Sequence, residues 1–322
     1  MSETRTPNVS VCVSSRNRAH LLPRLVSALE AQTLDPYSFE VIIVDDGSTD
    51  DTVQMLNELQ KSTPLNLVTL GGTGSGAAAG RNLAWRAASA PIVAFTDDDC
   101  MPNPDWLEVG LEVMNRPGRR VAAGTVRPIK GEEHKLGQFS YIPIVNASNA
   151  FWFATANAFF RRADLELVGG FDERLAKGED TDLAWRVIDH GAEPIFIPDA
   201  VVGHEVRERT AREAFLAQLG WSDTVAIFRH RSSARKKLLY WRFFWKAEHA
   251  KALLLMLGGL LSFWDWRAIG LALPWLHDRT CRVPVAPEPL ERWAALPGFF
   301  IVDTAEIAGM VRGSIRHRTL VL

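Results

Sequence analysis

Three consecutive aspartates, Asp97, Asp98 and Asp99, end the apolar run Pro91-Ile-Val-Ala-Phe-Thr96. Three like charges a residue apart repel one another, so the cluster asks for a cation. A hard divalent ion carrying a diphosphate suits it, because Mg²⁺ or Mn²⁺ takes one or two carboxylates together with phosphate oxygens. The bland alternative is a solvated acidic loop. A second acidic group, Glu179-Asp-Thr-Asp182, follows Gly178 and precedes Leu183-Ala-Trp-Arg186. These carboxylates stand where a loop enters a helix. They would either stabilise the helix N-terminus through its dipole or take a proton in an acid–base step. His204 closes another strand-like run, Ile195 to Gly203.

The elements that must position these groups are legible from the hydrophobic pattern. Val9–Val13, Phe39–Val44, Leu65–Leu70 and Ile92–Phe95 are short β-branched or aromatic runs. Between them stand helical spacings, Leu21, Leu22, Leu25, Val26 and Leu29, then Val53, Leu56 and Leu59, and last the strong helix-forming run Ala77–Ala88. Ser48 or Asp50 is expected to cap the second of these helices. Alternation of this period predicts βαβ units and a mostly parallel, doubly wound sheet up to about residue 125. Ligands of such sheets bind at the carboxyl ends of the strands. Ser14, Arg16, Asp45, Asp46 and the aspartate triplet all leave strands at that end. The glycine-rich Gly71–Gly76 follows the third strand rather than the first and lacks the acidic follower of a dinucleotide fingerprint, so it reads as a loop before a helix. Arg81, one turn into that helix, is a phosphate or base contact if the loop borders the pocket.

Composition narrows the rest. The 322 residues have room for one large domain with an appendage, or for two domains. A net charge of −2 gives no argument for nucleic acid as a partner. Three scattered cysteines, Cys12, Cys100 and Cys281, make no disulfide framework and favour a reducing compartment. Met1–Asn8 lacks the basic-then-apolar layout of a secretory leader. The expected location is therefore cytoplasmic, peripheral at the inner membrane face if the C-terminal region binds lipid. That region differs in character. Seven of the eleven tryptophans lie from Trp221 onward, and Arg229–Lys246 interleaves seven basic residues with aromatic ones. The apolar runs Ala252–Trp264 and onward to Leu276 are each shorter than a membrane span. They predict either a helix lying in the membrane interface or a helical hairpin packed on the catalytic domain or on another subunit, in a homo-oligomer. Residues 280–300, with four prolines, are expected to be loop-rich.

The order of motifs resembles a known family. Val9-Ser-Val-Cys-Val-Ser-Ser-Arg-Asn-Arg18, Val41-Ile-Ile-Val-Asp-Asp-Gly-Ser-Thr-Asp50, Ala79-Gly-Arg-Asn82 and Phe95-Thr-Asp-Asp-Asp99 look like the nucleotide-sugar half of family-2 glycosyltransferases. Ala156-Asn-Ala-Phe-Phe-Arg-Arg162, Gly169-Gly-Phe-Asp172, Gly178-Glu-Asp-Thr-Asp-Leu-Ala-Trp-Arg186 and His204 continue it. The resemblance implies an α/β GT-A fold, a doubly wound mixed sheet, with an α-helical C-terminal extension. The catalytic domain would cover 1–206, with a nucleotide-sugar half at 8–125 and an acceptor half at 126–206, and the extension 207–322.

It also implies an inverting enzyme that moves a sugar from a nucleoside diphosphate sugar, most simply a UDP-sugar, to a hydroxyl of a glycan, lipid-linked or small acceptor. Asp45 or Asp46 would accept hydrogen bonds from the base. Asp97 would touch the ribose or the metal, and Asp99 the metal itself. His204 would complete the metal shell, which favours Mn²⁺ over Mg²⁺. Asp180 would be the base, with Glu179 as its understudy. Asp98 is expected to point away along an extended chain, toward structure or the sugar hydroxyls. Trp185 is either an acceptor wall or a buried core aromatic. A sugar nucleotidyltransferase and a non-catalytic nucleotide-sugar scaffold are the rival classes.

Overall fold

The computed structural model describes residues 6–137, 139–282 and 289–322. The chain divides into two compact units, Met1–Gly131 with Ile142–Glu205, and Glu132–Tyr141 with Val206–Leu322. Each is described separately.

The first unit is built on eight strands: β1 (Val9–Ser15), β2 (Phe39–Asp45), β3 (Leu67–Gly71), β4 (Ile92–Phe95), β5 (Cys100–Pro102), β6 (Arg119–Pro128), β7 (Ala158–Arg161) and β8 (Glu193–His204). They form one sheet in the order β3-β2-β1-β4-β7-β6-β8-β5. β3, β2, β1 and β4 run parallel. β7 is antiparallel to both β4 and β6, and β5 to β8, while β6 and β8 are parallel. The sheet is therefore mixed. Its first four strands read as continuous apolar runs because helices cover them on both faces, and every residue of β2 is buried. The helices are α1 (Leu22–Glu30), α2 (Thr52–Ser62), α3 (Ala77–Ala87), α4 (Trp106–Met114), α5 (Arg162–Val168) and α6 (Glu179–Asp189).

Two buried asparagines tie the acceptor-side elements to this sheet. Asn157 accepts from Trp106 Nε1 at 2.8 Å and donates to the carbonyls of Thr125 and Ala200, joining α4, β6 and β8. Asn82 on α3 accepts from Phe171 N–H at 2.9 Å and donates to Phe171 O, so the Gly169–Asp172 loop is fixed on α3. A fully buried amide that satisfies several backbone groups at once cannot be replaced without leaving them unpaired.

Neither Ser48 nor Asp50 is the N-cap of α2. The N-cap of α2 is Asp51, and the Asp50 carboxylate one residue earlier accepts the Thr52 N–H at 3.0 Å. The aspartate triplet is not an extended chain. Asp98 and Asp99 lie in a turn closed by Cys100 N–H donating to Asp97 O, because the chain must reverse from β4 into β5 within four residues.

The second unit is helical: α7 (Ala211–Leu219), α8 (Ser232–Leu238), α9 (Ala247–Leu261), α10 (Leu273–His277), α11 (Pro289–Ala294) and α12 (Leu296–His317), with 3-10 segments at Gly220–Phe228 and Trp266–Ala272. The expectation of a loop-rich 280–300 fails from residue 289 onward. Pro289 and Pro297 stand in the first turns of α11 and α12, where the missing N–H costs no hydrogen bond. Pro284 and Pro287 lie outside the described residues. α12 packs against α7, α9 and the Gly220–Phe228 segment.

Candidate active site

The carboxyl edge of the parallel strands carries the predicted residues. Ser15 is in register with Asp45, and Asp45 with Gly71. β4 stops at Phe95, and the turn that follows delivers Asp97, Asp98 and Asp99 to the same edge. β5 then pairs with the end of β8, Cys100 opposite His204. That register explains how a histidine more than a hundred residues away meets the triplet.

Asp99 and His204 meet directly, with Asp99 Oδ1 3.1 Å from His204 Nε2. His204 Nδ1 lies 2.7 Å from the Glu205 carbonyl, which can only accept, so Nδ1 carries a proton. In the neutral ring Nε2 is then a bare acceptor facing a carboxylate, an arrangement that needs a proton or a cation between the two. Burial raises the Asp99 carboxyl above its ordinary range; His204 opposes this and Asp97 adds to it. Cys100 Sγ completes a buried trio with them. Its thiol is pushed well up by burial and by Asp97 and Asp99, so it stays neutral. The Asp99 carboxylate and an imidazole with its other nitrogen anchored to a carbonyl are donors that suit Mn²⁺.

Asp98 turns inward and accepts from Ser15 Oγ at 2.7 Å. Burial lifts its carboxyl to about 7 despite that bond. Its contact is with β1, so its role among the described contacts is to hold the turn.

Arg81 joins the two acidic groups. It is buried on α3, donates to Asp97 Oδ1 at 2.8 Å through Nη2, and to Glu179 Oε1 at 2.8 Å through Nη1. Burial works against its charge, but Asp97 and Glu179 outweigh that and hold it protonated. Asp180 follows at the start of α6, after Gly178. Burial pushes its carboxyl up to about 7, with Glu179 adding and Arg81 opposing. Its Oδ1 accepts from the Thr181 N–H at 2.7 Å. Trp185 is buried and donates to Phe151 O at 3.1 Å, which makes it a core aromatic rather than an exposed wall.

At the other end of the edge, the glycine-rich loop wraps Asp46. Gly74 and Ser75 N–H donate to Oδ1 at 3.0 and 3.1 Å, and Gly76 N–H to Oδ2 at 2.7 Å. Three of the carboxylate's four lone pairs are thereby used and one on Oδ2 remains. Asp45 instead accepts the Ser48 N–H at 3.3 Å on both oxygens. Arg16 reaches the Gly74 carbonyl at 3.4 Å. Ser14 packs beneath Gly80, where a Cβ would come within 2.1 Å of Ser14 Oγ. That this loop serves Asp46 is not legible in the sequence, since backbone donors leave no mark in residue type. Nor was Cys100 foreseen beside the Asp99–His204 pair; only the β5–β8 register brings it there.

Comparison with known proteins agrees with this geometry. Residues 10–168 match the family model described as glycosyl transferase family 2. The chain is 29% identical over 286 residues to a pre-mycofactocin glycosyltransferase of Mycobacterium tuberculosis, covering 83% of this chain and 54% of the relative. It is 28% identical over 251 residues to a validoxylamine A glucosyltransferase of Streptomyces hygroscopicus, covering 67% and 55%. The chain thus spans about half the length of these curated relatives. Among solved structures, a mannosyltransferase from Pyrobaculum calidifontis, in complex with GDP-Man and Mn²⁺, superposes with a TM-score of 0.63 at 23% identity, over 96% of this chain and 88% of that one. That likeness shows the fold.

Proposed function

This chain belongs to glycosyl transferase family 2, and on that premise we propose that it moves a sugar from a nucleoside diphosphate sugar to an acceptor hydroxyl with inversion at the anomeric carbon. The observation that carries the proposal is the Arg81 bridge, which ties Asp97 to the Glu179–Asp180 pair across one crevice. One acidic group then faces the departing diphosphate and the other faces the attacking oxygen.

Asp180 takes the acceptor hydroxyl's proton as its oxygen attacks the anomeric carbon and the bond to the diphosphate oxygen breaks. Its raised carboxyl is matched to that task near neutral pH. Glu179, bound to Arg81, keeps Asp180's neighbourhood negative and is not itself free to act as base. Arg81 supplies a fixed positive charge, desolvated and already oriented, beside the place where negative charge grows on the leaving group. Asp97, Asp99 and His204 would hold a divalent cation, Mn²⁺ before Mg²⁺, which when bound neutralises the diphosphate. Asp46 offers its one unused lone pair, in a fixed direction, to a ring N–H of the base, and Ser14, Arg16 and Asp45 border it. UDP- and GDP-sugars both present such an N–H.

The test is a panel of nucleotide sugars scored for Mn²⁺-dependent thermal stabilisation, followed by transfer to acceptor alcohols and determination of the product's anomeric configuration. Stabilisation by one donor and an inverted product are expected. A retained configuration would sink the single-displacement reading. Formation of nucleotide sugar from a nucleoside triphosphate would assign the crevice to a nucleotidyltransferase instead.

A further inference from the structure

The second unit carries apolar surface that neither its own core nor the transfer chemistry uses. α9 and the Trp266–Ala272 segment pack on one another as a hairpin. Leu257 and Leu260, three residues apart on α9, are 45% and 56% exposed, and Phe263, Trp264 and Trp266 around the turn are 86%, 78% and 73% exposed. Ile269 continues the stripe on the returning segment. From Ala252 to Leu276 the only charged residues are Asp265 and Arg267. The chain that enters α9 is the opposite: residues 229–246 hold seven basic residues and no acidic one. Arg229, Lys236, Lys237 and Arg242 are exposed, with Trp241 and Phe243 exposed on either side of Arg242.

We propose that this hairpin docks on an anionic lipid surface, lying in the headgroup layer. Tryptophan concentrates at the membrane–water boundary because its ring is apolar and its N–H is not. The Lys/Arg run supplies the attraction to anionic headgroups that an apolar face alone lacks. The hairpin does not cross the bilayer. The fifteen residues of α9 reach roughly 22 Å, against a hydrocarbon core of about 30 Å. End-on insertion would also bury Asp265 and Arg267, at the turn, deepest in the lipid. Lying flat keeps both in the headgroup region. A second copy of the chain is a poorer occupant, because symmetric pairing of this face brings the same basic run against itself. The inference stands independently of the transfer reaction.

Flotation of the full chain with vesicles tests it, using phosphatidylcholine alone and phosphatidylcholine mixed with phosphatidylglycerol. The chain is expected to float with the mixed vesicles, less so at high salt, and its tryptophan emission to shift to the blue and be quenched by brominated lipid. The triple variant Phe263→Ser, Trp264→Ser, Trp266→Ser should lose about tenfold or more in partition with an unchanged melting temperature. Lys236→Glu with Lys237→Glu and Arg242→Glu should remove the preference for phosphatidylglycerol. Should the triple variant misfold, lipid quenching of the unmodified chain still decides the matter. The proposal fails if the unmodified chain stays with the protein-only fraction, or if the triple variant floats as well as it does. It also fails if the unmodified chain is a dimer that ignores vesicles and the triple variant is a monomer, which would give the face to a second copy.

Discussion

At the residue scale the site depends on carboxylates held in environments that disfavour their charge. Asp180 is the clearest case. A folded-state value of about 7, raised above the ordinary 3.8, means the ionised form costs free energy in the folded chain. That destabilisation sets in as pH rises past about 4 and is complete above about 7. Asp180→Asn should therefore raise the melting temperature at pH 8, by an amount equivalent to about 4 kcal/mol, while lowering transfer by roughly 10²–10⁴-fold and sparing donor binding. The unmodified enzyme should gain rate with pH up to about 7 and level off above it. If Asp180 served only the α6 terminus, the asparagine variant would lose stability and keep its activity. Calorimetry and initial rates on the same preparations separate the two. Residue identity exposed this much in the sequence: a carboxylate after Gly178 could be a cap or a base. The choice rested on resemblance, and the three-dimensional argument for it, Arg81 between Asp97 and Glu179, spans 98 residues of chain.

At the element scale the crevice is set by how closely α3 approaches β1. Gly80 permits that approach, since a Cβ there would sit 2.1 Å from Ser14 Oγ and 2.9 Å from Ser14 Cβ. Gly80→Ala should push α3 outward and carry the adjacent Arg81 with it. We expect a stability loss of about 1–3 kcal/mol and a raised KM for the donor, read by urea unfolding and by kinetics. Ser14→Gly in the same chain should restore part of the stability, because it removes the atoms the new methyl meets. No recovery in the double variant would locate the strain elsewhere. The elements themselves are largely visible in the sequence: β1 to β4 are apolar runs, α1 falls where periodicity predicts it and α3 where helix propensity does. What stayed hidden was mostly pairing. Nothing in β5, three residues long, announces that it will lie antiparallel to β8 and set Cys100 opposite His204. The turn through Asp97–Cys100 departs from the extended geometry expected of it for the same reason, since its path follows from where β5 must go.

At the scale of the whole molecule the second unit raises the question of what α12 is. Its sequence neighbourhood, Arg292–His317, is the one stretch among the described residues long and apolar enough to cross a membrane, yet half of its apolar window is buried inside the unit. Two acidic residues on it are buried and paired inside the unit. Asp303 accepts from Trp275 Nε1 at 2.7 Å and pairs with Arg279, while Glu306 pairs with Lys246 at 2.8 Å and with the fully buried His249 at 3.2 Å. A spanning helix would lose all of these partners, so α12 is the central helix of this unit. Burial alone would raise the Glu306 carboxyl, but Lys246 and His249 bring it down to about 2. A depressed value means that the stabilisation is fully present above the ordinary 4.5 and is lost as pH falls toward 2. It amounts to roughly 3 kcal/mol at neutral pH. Glu306→Gln should therefore lower amide-exchange protection in α9 and α12 by about a hundredfold at pH 7, with the first unit unaffected. The gap between variant and unmodified chain should narrow as pH falls toward 3, where the carboxylate begins to protonate. A gap that stayed constant over that range would mean that Glu306 holds the unit together by its shape and packing rather than by its charge.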